Sequence, residues 1–143
     1  MNLIVDTNIL FSFFRENPVR NIIINSNLFG LELSTPEYAI DELWNNKSEL
    51  MKYSGISIEK ELENAIESLK LFVETKPINF FSKFKEDAIK ISPDRKDAHF
   101  FALALKLNGV IWTNEPRLKK QSKVKILNTA DLIKMLRKTN QLQ

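Results

Sequence analysis

The residues of this chain that could do chemistry are its acids. Cysteine is absent and histidine occurs once, at His99. That excludes disulfides, thiolate metal sites and any multi-histidine site within a single chain. Aspartate and glutamate total 18, so oxygen-ligand sites for hard cations remain open. Four of these acids stand beside strongly apolar sequence. Asp6 directly follows Leu3-Ile4-Val5, Glu42 lies in a helix-forming stretch, Asp97 opens the apolar run Ala98 to Leu107, and Glu115 follows Val110-Ile111-Trp112. An unpaired charge beside so much apolar surface is costly, and converging carboxylates raise each other's pKa. A divalent cation supplies the compensating charge. Mg²⁺ or Mn²⁺ on oxygen ligands polarises a phosphodiester and lowers the pKa of a bound water. Hydrolysis by that route needs no nucleophilic side chain.

Each acid also has a plain structural role open to it. Asp6 can cap a helix starting at Asn8. Asp94 can cap the helix that carries Asp97, with Asp97 completing the cap. Glu42, beside Asp41, can be a solvated helix residue, and Glu115 can open a short helix before Lys119. What speaks for a site is that all four acids point to one sheet edge.

The elements that must position them follow from the pattern. Leu3-Ile4-Val5 is a short, wholly apolar run, expected as a strand buried on both faces. Ile9 to Phe14 and Val19 to Ile24 read as helical pieces parted by Asn17-Pro18. Gly30 precedes a second strand, Leu31 to Ser34. Ser34-Thr35-Pro36-Glu37 has the form of a capping box, predicting a helix from there to about Lys47. Ile58 to Val73 carries an apolar stripe at helical spacing. Residues 74–79 suggest a weaker strand, followed by a helix over 80–91. Asp94 opens a largely buried helix that Gly109 ends. Strands at Val110 to Trp112 and Val124 to Leu127 follow, and Thr129 caps a terminal helix. Strands alternating with helices predict one α/β domain over 1–143, a three-layer α/β/α arrangement around a mainly parallel sheet of four to five strands. In such sheets, sites form beyond the carboxyl ends of the strands.

Composition adds two points. No stretch approaches the roughly 18–20 apolar residues of a membrane span, and no targeting signal is visible, so a cytoplasmic protein without membrane partners is expected. The net charge of +3 is unevenly placed: residues 1–116 hold 13 Lys/Arg against 17 Asp/Glu, whereas residues 117–138 hold eight Lys/Arg against Asp131 alone. That tail, beginning with Arg117, Lys119 and Lys120, is either a solvated helix end or a footing for a polyanion such as RNA.

Four segments together resemble one known family. Leu3-Ile4-Val5-Asp6-Thr7-Asn8-Ile9-Leu10 looks like the start of PIN domains. Thr35 to Leu43, Asp94 to Leu105 and Val110 to Glu115 resemble the family's later motifs, in the right order along nearly the whole chain. The resemblance implies nuclease activity on RNA with Mg²⁺ or Mn²⁺. It implies Asp6, Glu42 and Asp97 as metal-binding acids, Asn8 and Thr113 as polar supports, and Asp94 as an additional acid at the rim. It also implies a homodimer and a toxin paired with an antitoxin protein. Glu115 stands where the fourth motif usually has aspartate; one methylene longer, its carboxylate can still reach a metal. That departure motivates the alternative, a weak or inactive PIN-like scaffold that binds RNA or a protein. Phosphatase and receiver-domain chemistry fit poorly, because only one acid follows Val5. His99, two residues after Asp97 and so about 200° round a helix, is expected to face away from the acids. Trp112 is expected in the core.

Overall fold

With no polar side chain to offer water, Leu3-Ile4-Val5 takes the centre of the sheet in the computed structural model, which describes residues 1–139. Strand β1 (Asn2–Val5) lies between β2 (Glu32–Pro36) and β4 (Val110–Trp112). β3 (Glu74–Lys76) and β5 (Ile126–Leu127) form the edges, giving the order β3-β2-β1-β4-β5. Every pairing is parallel, with Ile4 opposite both Ser34 and Ile111. The expected parallel α/β architecture with flanking helices is therefore present, with five strands.

Helix α8 (Ala98–Leu107) packs on β1, β2 and β4 and buries Phe100, Phe101 and Leu103. Trp112 is fully buried, as expected for a core residue, and its indole Nε1 donates to Thr129 Oγ1 at 3.0 Å. The remaining helices are α1 (Thr7–Ser12), α2 (Pro18–Ile24), α3 (Glu37–Asn45), α4 (Lys47–Ser54), α5 (Glu59–Leu69), α6 (Ile78–Phe81), α7 (Lys85–Ile91) and α9 (Thr129–Lys138).

Several boundaries differ from the sequence expectation, each for a physical reason. Ser34 and Thr35 do not cap a helix; they stay in β2, and the Thr35 hydroxyl donates to the Val5 carbonyl at 2.8 Å. Sheet pairing has outcompeted the capping box, and α3 starts only after Pro36. The helix expected to reach about Lys47 ends at Asn45 as α3, and after Asn46 a further helix, α4, follows that the sequence did not announce. The predicted helix over 80–91 breaks into α6, a 3₁₀ turn over Ser82–Phe84, and α7. At the end of α8, Asn108 rather than Gly109 takes the left-handed conformation, at φ 51°. Gly109 serves close approach instead: a Cβ there would meet Ile4 Cδ1 at 2.5 Å and the Asn2 carbonyl at 3.1 Å. Asn128, not Thr129, caps α9 by accepting from the Asp131 N–H at 2.7 Å.

Candidate active site

The two central strands deliver the first contacts. β1 ends at Val5, and the Asp6 N–H still donates to the Trp112 carbonyl at 3.1 Å, fixing Asp6 against β4. One residue beyond β4, the Thr113 N–H donates to the Leu127 carbonyl at 3.0 Å. The Thr113 hydroxyl, buried like its neighbour, donates to Asp6 Oδ2 at 2.7 Å and accepts the Glu115 N–H at 3.1 Å. Asp6 thus occupies the N-cap position of α1 without making a side-chain cap bond. Its carboxylate faces the site.

The other acids are each held by a neighbour. The Thr7 hydroxyl donates to Glu42 Oε1 at 2.6 Å, tying α1 to α3. Asn8 Nδ2 donates to Glu115 Oε1 at 3.4 Å. Arg117 grips Asp97 with both terminal nitrogens, Nη1 to Oδ2 at 2.5 Å and Nη2 to Oδ1 at 3.4 Å, while its Nε lies 3.8 Å from Glu115 Oε2. A fork-on-carboxylate pair of this kind is strong and directional.

These acids line one pocket of about 420 Å³, and Asn8, Arg117 and Lys96 line it with them. The electrostatics are those of a crowded anionic site. Burial pushes the Asp6 carboxyl up to about 6 from its ordinary 3.8, Thr113 and the Thr7 N–H pull it back, and the charges of Asp97 and Glu115 raise it further. Burial, then the Glu42 carboxylate, raises the Tyr38 phenol, and the hydrogen bond to Asp97 raises Arg117.

The sequence-predicted residues separate into three groups. Asp6, Glu42, Asp97, Glu115, Asn8 and Arg117 share the pocket, and Thr113 supports it from beneath. Asp94 does not line it; its Oδ1 caps the 3₁₀ turn over Arg95–Asp97 by accepting the Lys96 N–H. Lys119 and Lys120 sit in the 3₁₀ turn over Pro116–Lys120 outside the lining, and Lys119 pairs with Asp131 at 3.5 Å. His99 faces away, as expected: it stacks on Tyr38 at 4.7 Å and meets Phe81 edge-on at 6.0 Å. Sequence reasoning missed Thr7, Asn46 and Glu49. Asn46 directly follows α3 and Glu49 lies in α4, the helix that the sequence did not announce.

Among the described residues, no three acids stand close enough to hold an ion in this arrangement. The donor set nonetheless fits a hard divalent cation: it is all oxygen, it crowds negative charge, and it keeps one buried carboxyl raised to about 6. Gathering the carboxylates round an ion requires side-chain movement, above all the exchange of Arg117 at Asp97 for the incoming charge.

A family model of the PIN domain matches residues 4–137. The chain belongs to the PIN domain family. Its members are generally nucleases and typically use divalent metals, and this PIN domain carries its acids at the carboxyl edge of the sheet. Comparison with curated proteins gave no match. No helix among the described residues is long and apolar enough to cross a membrane.

Proposed function

We propose that this PIN domain is a metal-dependent endoribonuclease that hydrolyses RNA phosphodiester bonds with Mg²⁺ or Mn²⁺. The observation that carries the proposal is Asp6: a buried carboxyl, raised to about 6, facing the charges of Asp97 and Glu115 in an open acidic pocket. A strongly perturbed acid in a cleft, shifted by burial and by specific charged neighbours, is a candidate functional group. Asp6, Glu42 and Asp97 are the proposed ligands, with Glu115 beside them. When bound, the cation supplies a Lewis acid for the phosphate and an activated water. The protein's own part is orientation. Thr113 fixes Asp6, Thr7 fixes Glu42 and Asn8 steadies Glu115. Arg117, once freed from Asp97, presents a planar donor fork to a phosphate. Lys96 on the pocket wall and Lys119 and Lys120 beyond it extend positive charge for the strand. The setting proposed with this activity is a cytoplasmic toxin, homodimeric and restrained by an antitoxin protein.

The test is cleavage of single-stranded RNA with Mn²⁺ or Mg²⁺ by wild type, Asp6→Asn and Asp97→Asn. Metal-dependent cleavage by wild type alone is expected. Cleavage by none, or equal cleavage by all three, overturns the proposal. One observation favours a second reading, an inactive scaffold: Arg117 already neutralises Asp97. Calorimetric titration with Mn²⁺ separates the two, because a scaffold shows no binding that depends on Asp97.

A further inference from the structure

Beside the acidic pocket lies a second cavity of about 380 Å³ that the proposed hydrolysis leaves unused. Its inner lining is apolar, formed by Phe81, Ile89, Ala98 and Ala102 with the ring of His99, and Ile78, Lys85 and Arg95 line it as exposed residues. Ligand sites are typically of this size and make-up, apolar walls with a few polar or charged groups. The two cavities share a wall. Along one short stretch, Lys96, Asp97 and Phe100 line the acidic pocket, while Arg95, Ala98 and His99 line its neighbour. Tyr38 lines the acidic pocket on one side and stacks on His99, 15° from parallel, on the other. A polymer whose phosphate sits among the acids thus has this cavity beside it for its adjoining unit.

Resting on the ribonuclease proposal, we propose that this cavity is a nucleobase subsite, taking the base next to the scissile phosphate of single-stranded RNA. Unpaired bases are recognised by aromatic rings, histidine included, and by cations that hold the adjacent phosphates. The cavity offers both. The ring of His99, one face of which Tyr38 covers, gives a base an aromatic contact among apolar neighbours, and Lys85 and Arg95 give a neighbouring phosphate its counter-charge. Polar Asn79 and Ser82 supply donors and acceptors for base edges. An acidic peptide would use the two cations, yet would leave the aromatic wall and the continuity with the acidic pocket without a purpose.

The experiment measures binding of a fluorescein-labelled single-stranded RNA decamer to the Asp6→Asn protein, which is not expected to cut it. His99→Ala, His99→Phe, Lys85→Ala and Arg95→Ala are compared in that background, and cleavage sites are mapped in the corresponding proteins that keep Asp6. His99→Ala should weaken binding about fivefold or more, in line with the loss of one stacking contact. His99→Phe should restore most of it. The two cation variants should each weaken binding and lower its salt dependence, and His99→Ala should change the base preference next to the cut. RNA bound and cut alike by all variants overturns the subsite while leaving the ribonuclease proposal standing. No RNA binding or cleavage by wild type overturns both. RNA binding unchanged by the variants, together with loss of binding to a glutamate-rich peptide, assigns the cavity to a protein partner and also overturns the subsite.

Discussion

Replacing Asp6 by Asn should make the metal-free protein more stable at neutral pH, although it removes a proposed ligand. Asparagine keeps the shape and can still accept from the Thr113 hydroxyl through its Oδ1, so the perturbation is one of charge. In the folded chain the Asp6 carboxyl titrates at about 6, against 3.8 for its ordinary value. Between those pH values the unfolded chain has lost its proton while the folded chain still holds it, so stability falls as pH rises through that window. The difference of about two pKa units corresponds to about 3 kcal/mol at pH 7 and above. Most of that penalty comes from burial, the remainder from Asp97 and Glu115. Urea denaturation in EDTA at pH 4, 5, 6 and 7.5 measures it. Wild type and Asp6→Asn should be nearly equal at pH 4 and diverge to about 3 kcal/mol in favour of Asn at pH 7.5. A gap of the same size at pH 4 and pH 7.5 would refute the reasoning, as would a wild type more stable than the variant at pH 7.5. Millimolar Mn²⁺ at pH 7.5 should then stabilise wild type and leave Asp6→Asn unmoved, because only the carboxylate gains a counter-charge.

Thr113→Val removes the hydroxyl that holds Asp6 ionised; the Asp6 titration, followed by carboxyl ¹³C NMR in EDTA, should move above 6, and an unchanged midpoint would contradict the assigned cause. Arg117→Gln breaks the fork on Asp97 and should cost the metal-free protein about 2 kcal/mol in urea denaturation. The same variant should bind Mn²⁺ more tightly by calorimetry, since the ion no longer displaces a guanidinium; weaker binding would mean that Arg117 helps the cation instead of competing with it. Gly109→Ala forces a methyl against the fully buried Ile4 and close to the Asn2 carbonyl, which is backbone. A loss of about 1–3 kcal/mol by denaturation is expected, and a neutral result would show that the crossing of α8 into β4 has slack.

The parts of the fold legible in the sequence were those governed by apolar runs. Leu3-Ile4-Val5 and Val110-Ile111-Trp112 could only be buried strands, and Ala98 to Leu107 only a central helix. The errors fell where two local preferences competed. Ser34 and Thr35 carry a good cap signal, but their strand neighbours offered the Val5 carbonyl, a partner 30 residues away that no local pattern announces. Asn46 parts α3 from an α4 that no local signal announced, so the pocket wall at Asn46 and Glu49 went unread. In the site, the acids could be picked out by their apolar neighbours and by resemblance. Their partners could not: Thr7 meets Glu42, and Arg117 meets Asp97, across separations that only the tertiary structure closes. The charge count marked Arg117 as a hand for RNA, whereas in the structure it is engaged at Asp97.

The place of β1 in the sheet has a consequence for how the molecule is made. Within this domain the earliest strand made is the central one, and it waits between β2 and a β4 that lies more than 100 residues downstream. Domains fold as units as the chain emerges, and here the unit closes late. Asp6 can meet Thr113 only when over 100 further residues have been made, and Asp97 must wait for Arg117. A nascent chain therefore carries its acids scattered. Under the proposed activity, the message being translated is out of danger until β4 and Arg117 have been made.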